Sequence, residues 1–563
     1  MMILVSAILN GETMKTLVRI KALVLIIFLC ILPSNAQYAR VASGSKIMIS
    51  AHPLAAKAGL EIYQKGGNVV DVAVATAYAL GVVEPHGSGI GGEGMMVIYN
   101  AKEKKSTVVD FKGIAPQAAS YRTLDLDKKS EWARSARGAS VPGAVAGLEL
   151  ARETFGKLDR KTVLQPAVDY ALKGFEVDST LALNLESYRR ILEKDPYTKT
   201  LYYANGQVPK VGTLLKNADY GKSLQVIQLD GADAFYKGSI ADLIARDAQK
   251  RGGFISKEDL IAYKAILREP LVGEYRGYTI VTTPPPCGGM FLLEALNILK
   301  HFDLQECRKD NDYNLHLFAE MSKLMYKDEA THNGDPEFST ISVKTVVSDA
   351  YAFQRFLQID LAHSRHPQQI EAGRILDKNT TQLCVMDIEG NTVSLTITLS
   401  SLFGTGQTVE GGGFILNNEM QNFNIDPKHP NSLQPHKRVV TSLVPTIILK
   451  EGQPIYTLGT PGGDLILSTV AQVIVNLVDF NMPLREAVYA PRMFSIYSQR
   501  ELEIENRFPE NSLVQLQNLG HDVKRSEAFR AYFGAVQSIM YDARTHTLIG
   551  CSDPRRSGAA VGE

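Results

Sequence analysis

The most regular pattern in the chain covers residues 392–400, which read TVSLTITLS. Every even-numbered position carries a hydroxyl and every odd-numbered position carries an aliphatic side chain. Because successive side chains of a strand point to opposite faces, this alternation predicts a half-buried β-strand with one face of hydroxyls. Residues 380–387 form a second strand-like segment, and Glu389 with Gly390 supplies a turn, so the two segments predict a β-hairpin.

Other patterns predict helices in the middle of the chain and strands towards its two ends. Residues 51–83 predict two helices separated by KGGN, and residues 138–156 predict a turn followed by a helix. Residues 160–330 are mainly helical in pattern, interrupted by YRGYTIVTTPPPCGG, which predicts a strand ending at prolines. After residue 380 strands predominate, with VPTIILKEG and PIYTLGTPGGD as further candidates. This order favours a layered α+β or αββα arrangement in one large unit.

A glycine-rich segment follows the second predicted helix. Residues 87–92, GSGIGG, match the spacing of the GxGxxG dinucleotide-binding fingerprint. That fingerprint needs a strand before it and a helix after it, whereas here Pro85 precedes it and MMVIY predicts a strand after it. The context favours a loop in which the backbone packs closely near a site, and not a nucleotide-binding loop.

The predicted hairpin brings two threonines close together. One register places Thr381 opposite Thr398, and a register shifted by one residue places Gln382 opposite Thr398. In both registers Thr398 lies within about two positions of Thr380 on the neighbouring strand.

A threonine hydroxyl becomes a good nucleophile only when a base accepts its proton. The free α-amine of an N-terminal threonine is one such base, and Thr380 would have that amine only if the chain were cut just before it. The alternative is that these threonines are strand formers on a solvated face, because threonine favours strands.

The N-terminal segment has the features of a secretory signal peptide. From Met14, a candidate for the true start, basic residues precede an apolar run at 22–32, and the small residues SNA follow at 34–36. The apolar run is too short to span a bilayer. We therefore expect an exported protein, periplasmic or secreted, that loses residues 1–36; a buried helix is the alternative.

Composition argues against several classes of partner. The chain has 563 residues, of which 45% are hydrophobic and 21% charged, with a formal net charge of zero and no tract rich in lysine or arginine. Nucleic acid and anionic membrane surfaces are therefore poor candidates. The cysteines beyond the N-terminal segment form no CxxC pair, so we expect mainly buried thiols, although an oxidising compartment would allow one disulfide. These cysteines are Cys287, Cys307, Cys384 and Cys551.

Long collinear motifs then point to a family. They include GGNVVDVAVATAYALGVVEPHGSGIGG, GASVPGAVAG, LQPAVDYALKGF, NTTQLCVMDIEGNTVSLTITLSSLFGTG, TSLVPTIIL, GTPGGD and SDPRRSGAAVG. From about residue 40 to the C-terminus, the chain resembles the γ-glutamyltranspeptidases, which are N-terminal-nucleophile hydrolases. The resemblance implies a four-layer αββα sandwich and a precursor that cleaves itself into a large subunit, 37–379, and a small subunit, 380–563.

The resemblance also assigns the catalytic groups. Cleavage between Asn379 and Thr380 would leave the Thr380 amine as base and the Thr380 hydroxyl as nucleophile. Thr398 matches the threonine that orients the nucleophile, and the amides of Gly462 and Gly463 match the oxyanion hole, where backbone N–H groups hold developing negative charge. No cofactor and no metal is implied.

For the substrate's α-carboxylate, the resemblance implies three contacts. Lys112 stands where the family has an arginine, which keeps the charge but loses the bidentate fork. Thr441 and Ser442 stand where the family has a pair of hydroxyl residues, usually two serines. Their hydroxyls should still bind the α-carboxylate.

For the substrate's α-ammonium, two positions depart from the family pattern. Glu419 fits one family variant, but Asn422 stands where the family has an aspartate, and Ser400 replaces a residue that is often asparagine. Either these changes alter the recognition of γ-glutamyl groups, or they are neutral and Glu419 alone holds the ammonium.

We therefore expect a self-processing amidase and acyltransferase that takes glutathione and other γ-glutamyl amides and passes the acyl group to water or an amino acid. Residues 422–441 are shorter than in relatives with a lid loop, so larger donors are admissible. The alternative enzyme is an acylase for glutaryl or cephalosporin-type amides, and the alternative outside enzymes is a secreted binding protein with the same fold.

Overall fold

The computed structural model describes residues 39–307, 311–365 and 379–563. The expected signal peptide, residues 1–36, lies outside the described residues and stays a prediction. Residues Arg40–Glu563 cluster as one compact unit. Within the described part of the chain, no helix combines the length and the apolar character needed to cross a membrane.

The strands and helices alternate in blocks along the chain. In chain order the strands are β1 Val41–Gly44, β2 Lys46–Ser50, β3 Glu93–Asn100, β4 Lys105–Phe111, β5 Phe175–Glu176, β6 Leu214–Leu215, β7 Ile266–Arg268, β8 Leu271–Tyr275, β9 Tyr278–Thr282, β10 Asn379–Asp387, β11 Thr392–Ser400, β12 Thr446–Lys450, β13 Gln453–Gly459, β14 Met493–Phe494, β15 Glu501–Glu505, β16 Asp522–Ser526, β17 Gln537–Asp542, β18 Thr547–Ser552 and β19 Ala559–Gly562. The helices are α1 Pro53–Gln64, α2 Val69–Val83, α3 Lys129–Trp132, α4 Ala144–Phe155, α5 Arg160–Lys173, α6 Ser179–Leu192, α7 Pro196–Tyr202, α8 Ala218–Asp230, α9 Ala232–Tyr236, α10 Ser239–Lys250, α11 Lys257–Ala262, α12 Gly289–Leu299, α13 Leu304–Cys307, α14 Asn311–His332, α15 Val343–Val346, α16 Asp349–Phe356, α17 Ile466–Val478, α18 Leu484–Tyr489 and α19 Glu510–Asn518.

Two seven-stranded sheets form the centre of the fold. Their strand orders are β19-β2-β10-β11-β3-β4-β7 and β1-β18-β17-β13-β12-β9-β8, and neighbouring strands in both are antiparallel. Apolar side chains such as Ile49 and Met386 from the first sheet pack against Ile539 and Leu548 from the second.

Helices cover the outer face of each sheet. Helices α1, α2 and α4 share a hydrophobic core with the first sheet, and α12, α14 and α17 share one with the second. The result is the predicted α+β fold, an αββα sandwich, because each sheet buries one face against helices and the other against its partner sheet.

The central hairpin, β10 and β11, differs from its predicted register. Its strands pair Gln382 with Thr396 and Met386 with Thr392, one residue away from the nearer predicted register. The turn is longer than expected because the Asp387 carboxylate accepts hydrogen bonds from Asn391 N at 2.8 Å and Asn391 Nδ2 at 2.9 Å. A bulge at the open end, between residues 379 and 381, then shifts the pairing by one residue.

Strand β11 is buried on both faces, so the prediction of a half-buried strand, and its alternative of a solvated hydroxyl face, are wrong. All nine of its residues are buried. The aliphatic face, including Leu395, packs against the helices of the first layer. The hydroxyl face lies between the sheets, where Ser394 Oγ donates to the Leu458 carbonyl at 3.0 Å and Thr396 Oγ1 donates to Gln382 Oε1 at 2.5 Å. Buried hydroxyls need such partners, which the alternation alone does not reveal.

Several local predictions are confirmed. Residues 51–83 form helices α1 and α2, and residues 138–156 lead into α4. The glycine-rich loop precedes strand β3 as expected. The thiols of Cys287, Cys384 and Cys551 are free and buried, while the side chain of Cys307 lies outside the described residues.

Candidate active site

Thr380 lies in the bulge at the open end of the hairpin and is 3% exposed. Its hydroxyl donates to Thr398 Oγ1 at 3.4 Å, which confirms the predicted proximity of the two threonines. Thr398 Oγ1 also accepts a hydrogen bond from the Ser400 backbone N–H at 2.8 Å. Ser400 has a φ of +75°, an uncommon conformation for a residue other than glycine, so the Thr398 hydroxyl helps to hold a strained strand end next to Thr380.

Charged side chains hold the backbone on either side of Thr380. Arg556 donates from a guanidinium nitrogen to the Thr380 carbonyl at 3.1 Å, and Thr381 Oγ1 donates to Glu84 Oε2 at 2.5 Å. His86 Nε2 lies 3.5 Å from the other carboxylate oxygen of Glu84. Burial alone would raise the pKa of Glu84, but the contacts with His86 and Thr381 and the charge of Arg556 bring that pKa below its ordinary value. Glu84 is therefore an ionised anchor for the residue that follows Thr380.

Sequence analysis did not identify Glu84, His86 or Arg556 as functional residues. Glu84 and His86 belong to EPHGSGIGG, and Arg556 belongs to SDPRRSGAAVG, both of which carry the family resemblance. Both segments were recognised as family motifs, but only the fold brings Glu84 and Arg556 next to strand β10.

The glycines of the PGG segment lie at the start of helix α17. Gly462 has a φ of +141° and Gly463 a φ of +58°, backbone conformations that residues with a Cβ rarely adopt. A Cβ on Gly462 would lie 3.3 Å from the Gly534 Cα. A short 3₁₀ turn, Gly463–Leu465, leads into α17, so backbone N–H groups that lack helical partners lie at this end.

A small pocket joins these elements. It brings together eight of the residues predicted for the site and adds three that were not predicted. The predicted residues are Thr380, Thr398, Ser400, Glu419, Asn422, Thr441, Ser442 and Gly463, and the added ones are Leu443, Asp464 and Ile466. Gly462 and Lys112 are not among the lining residues that the structure describes.

Lys112 occupies a different environment from the one expected for a carboxylate-binding residue. Its side chain is fully buried, and its ammonium forms an ion pair with the equally buried carboxylate of Glu93. The second oxygen of Glu93 accepts a hydrogen bond from Gly113 N at 2.5 Å. The positive charge of Lys112 is thus offset inside the protein.

The residues predicted on the amine side contact one another. Asn422 Nδ2 donates to Glu419 Oε2 and lies 3.4 Å from Ser400 Oγ. Gln421 Nε2 donates to the same Ser400 hydroxyl at 3.2 Å. Glu419 is 1% exposed, so this carboxylate lines the pocket while being shielded from bulk water.

The two hydroxyls predicted on the carboxylate side already have partners. Ser442 Oγ donates to Glu329 Oε1 at 2.6 Å. Thr441 Oγ1 lies 3.4 Å from Cys287 Sγ, and burial raises the pKa of that thiol to about 12, so it stays protonated.

One group of described residues has donor atoms close enough together to suggest a metal site. His316, Glu320 and His521 place ligand atoms within 4.8 Å of one another. Glu320 already accepts from Lys323 Nζ at 2.7 Å, and His316 Nδ1 lies 2.8 Å from His521 Nε2. Burial and the charge of Lys323 lower the pKa of His521 to about 3, so it is a neutral hydrogen-bonding group. These contacts explain the cluster without an ion.

Comparison with known proteins identifies the family. The family model described as Gamma-glutamyltranspeptidase matches residues 55–563. The chain belongs to this family. The glutathione hydrolase proenzyme of Bacillus subtilis (strain 168) is 37% identical over 550 residues, which are 93% of each chain.

Other relatives of this γ-glutamyltranspeptidase family member are acylases. The Acylase ACY 1 proenzyme of Pseudomonas sp. (strain SE83) is 35% identical over 92% of this chain and 94% of its own. The crystal structure of cephalosporin acylase from Bacillus halodurans superposes with a TM-score of 0.84 at 30% identity, covering 92% of this chain and 96% of that one. The protein is accordingly an enzyme of the hydrolase and acyltransferase type, and its sandwich is that of the N-terminal-nucleophile hydrolases.

Proposed function

We propose that this protein is a self-processing amide hydrolase and acyltransferase whose nucleophile is Thr380. The observation that carries the proposal is the contact between the Thr380 and Thr398 hydroxyls, at 3.4 Å, in the wall of a pocket that also contains Gly463. A nucleophile, a hydroxyl that orients it and backbone amides at a helix start are the parts that acyl transfer needs. The relatives named proenzymes support a precursor here as well.

Processing would proceed by attack of the Thr380 hydroxyl on the Asn379 carbonyl carbon. The new C–O bond forms, the C–N bond to Thr380 breaks, and the hydroxyl proton passes to the released amine. Water then hydrolyses the ester and leaves a carboxylate on Asn379. The products are a large subunit, 37–379, and a small subunit, 380–563, that stay associated. Strands β2 and β10 belong to different subunits but pair directly, which supports a stable association.

Turnover would use the same atoms on a substrate. The free α-amine of Thr380 accepts the hydroxyl proton as Thr380 attacks the acyl carbonyl, and the proton then passes to the departing amine. Amides near Gly462 and Gly463 would stabilise the negative oxygen of the intermediate. Water or the amino group of an acceptor releases the acyl group from Thr380.

We propose γ-glutamyl amides, glutathione among them, as donors, in keeping with the relatives named glutathione hydrolase. The N-terminal sequence adds the proposal that the enzyme works after export, in the periplasm or outside the cell. A second candidate function is an acylase for glutaryl or cephalosporin-type amides. It is favoured by the likeness to the Bacillus halodurans acylase over 92% of this chain and by the neutral Asn422 in the pocket.

Substitution of Thr380 tests the proposal. Thr380→Ala should give a single uncut chain on a denaturing gel and no hydrolysis of γ-glutamyl p-nitroanilide. Thr392→Ala is a matched control, because Thr392 lies at the far end of β11 and donates only to the Gly390 carbonyl, at 3.0 Å. The control should give two bands and normal turnover. A wild-type protein that stays a single inactive chain would instead support the secreted binding protein.

A further inference from the structure

A second cavity lies apart from the Thr380 pocket, and among the described residues the two share no lining residue. One part of its wall is apolar and consists of Ile114, Ala262 and Ile266. The rest is polar and consists of Lys264, Glu337, His436 and Arg438. The side chain of Glu337 is 53% exposed, so the cavity reaches the solvent. A wall of this kind suits a small molecule that has an apolar part and a charged part.

Arg438 is a buried cation whose acidic partners are distant. The residue is 6% exposed, and a guanidinium stays charged at any ordinary pH. Its Nε lies 3.4 Å from Asp110 Oδ2, and its Nη1 lies 3.4 Å from Glu337 Oε1. Within the described part of the chain, Nε forms no hydrogen bond. Because charge-assisted N–H···O bonds are usually about 2.7–2.9 Å long, Arg438 is only loosely paired.

The two acids behind the wall are held by other donors. Asp110 Oδ2 accepts a hydrogen bond from Arg268 Nε at 2.6 Å, which is much closer than its contact with Arg438. Asp335 accepts from the backbone N–H groups of Arg438, at 2.8 Å, and Glu337, at 3.1 Å. Neither acid is among the lining residues described for the cavity. Their negative charges therefore stabilise the wall from behind.

Glu337 is the acid that faces the cavity, and its contacts are weak. Its carboxylate lies 3.3 Å from Arg268 Nη2 and 3.4 Å from Arg438 Nη1, on a side chain that is half exposed. Exposed ion pairs contribute little, so another carboxylate can take this place on Arg438. Lys264 gives the lining a second positive charge, and His436 adds a ring N–H that can donate to an anion.

We propose that this cavity binds a small aliphatic monocarboxylate. Its carboxylate pairs with Arg438 in place of Glu337, and its chain packs against Ile114, Ala262 and Ile266. The planar fork of a guanidinium matches a carboxylate, and the apolar wall favours a ligand with a hydrocarbon chain over inorganic phosphate. The site uses no atom of Thr380, so it is independent of the proposed function.

Three probes test the class of ligand by titration calorimetry on the purified protein. They are hexanoate, hexanamide, which has the chain without the charge, and inorganic phosphate, which has the charge without the chain. We expect hexanoate to bind, and the other two to bind at least about tenfold more weakly. Failure of hexanoate to bind, or equal binding of hexanamide or phosphate, overturns the proposal.

A substitution with a gain of affinity locates the site. Glu337→Gln removes the competing carboxylate, so Kd for hexanoate should fall about threefold. Glu269→Gln is the matched control, because Glu269 directly follows β7, is 82% exposed and pairs with Lys105; it should leave Kd unchanged. An unchanged Kd in Glu337→Gln places hexanoate elsewhere in the protein and overturns the proposal.

Loss of the guanidinium gives the opposite result. Arg438→Gln should weaken hexanoate binding at least about tenfold. If this variant does not fold, Glu337→Gln decides the matter, because Glu337 is half exposed and a gain of affinity does not arise from unfolding. Binding needs no turnover, so an uncut and inactive chain that binds hexanoate refutes the proposed function alone, whereas an active enzyme that does not bind it refutes this site alone.

Discussion

Replacement of Thr398 by valine removes one hydroxyl from the site and keeps the shape of the side chain. Thr398 is 2% exposed, and its Oγ1 accepts from Thr380 Oγ1 at 3.4 Å and from Ser400 N at 2.8 Å. The variant leaves the buried Ser400 N–H without this acceptor, which should cost about 1–3 kcal/mol of stability. It also removes the acceptor that orients the nucleophile.

The expected effect on rate follows from the loss of the acceptor that orients the Thr380 hydroxyl. A neutral hydrogen bond contributes about 1 kcal/mol net, and 1.4 kcal/mol corresponds to a factor of about 10 in rate. We therefore expect both self-cleavage and acyl transfer to slow about fivefold to tenfold in Thr398→Val. Cell-free synthesis followed by denaturing gels gives the cleavage rate, and release of p-nitroaniline gives the turnover rate.

Thr396→Val is the matched control for this experiment. Thr396 lies on the same face of the same strand, is equally buried, and donates to Gln382 Oε1 at 2.5 Å. It should lower the unfolding temperature to a similar extent while leaving both rates near those of the wild type. Equal rates in Thr398→Val and the wild type, or equal losses in both variants, would refute the role given to Thr398.

Two further predictions concern the groups around the nucleophile. Glu84→Gln exchanges a charged acceptor of the Thr381 hydroxyl for a neutral one, a loss of about 1 kcal/mol, and should slow self-cleavage about fivefold. Because the pKa of Glu84 lies below its ordinary value, the wild-type contribution is present at neutral pH and is lost only as the pH falls through that lowered pKa. Gly463→Ala places a Cβ on a residue with φ of +58° beside the pocket and should reduce kcat about 100-fold by moving the amides of the oxyanion hole.

Each of these has a control in the same chain. Glu61→Gln alters an exposed carboxylate that pairs with Lys65, so it should not change the cleavage rate. Gly452→Ala imposes a similar backbone strain, at φ of +77°, in a turn with open space around the new Cβ, and should leave kcat unchanged. Normal cleavage in Glu84→Gln would show that Thr381 needs no charged anchor. Equal kcat values for Gly463→Ala and Gly452→Ala would remove the oxyanion role.

Local patterns were enough to predict much of this fold. The alternation in residues 392–400 identified β11, and the glycines and caps around residues 51–83 identified α1 and α2. The burial of both faces of β11 could not be predicted. Burial of a hydroxyl face depends on partners such as the Leu458 carbonyl, which lies in the other sheet. Helix α17 was also missed, because its mainly apolar segment directly follows predicted strands. Ser468, Gln472 and Asn476 recur there at four-residue intervals, which is the helical signal that the sequence offered.

The site was predictable where its residues are close in sequence or belong to quoted motifs. Thr380 and Thr398 were predicted to be neighbours from hairpin geometry alone, and their contact is confirmed. The ion pair of Lys112 could not be predicted, because its partner Glu93 lies on the adjacent strand and nothing in the local sequence indicates the pairing. The contact between Ser442 and Glu329 likewise joins residues more than a hundred positions apart.

Intact-mass analysis of the purified protein, combined with N-terminal sequencing, tests directly whether Thr380 becomes the N-terminal nucleophile. We predict two chains, the smaller of which begins with Thr380, and a covalent acyl adduct on that residue when a slowly hydrolysed donor is added. A single chain, a small subunit that begins at any other residue, or an adduct on a different side chain would contradict it.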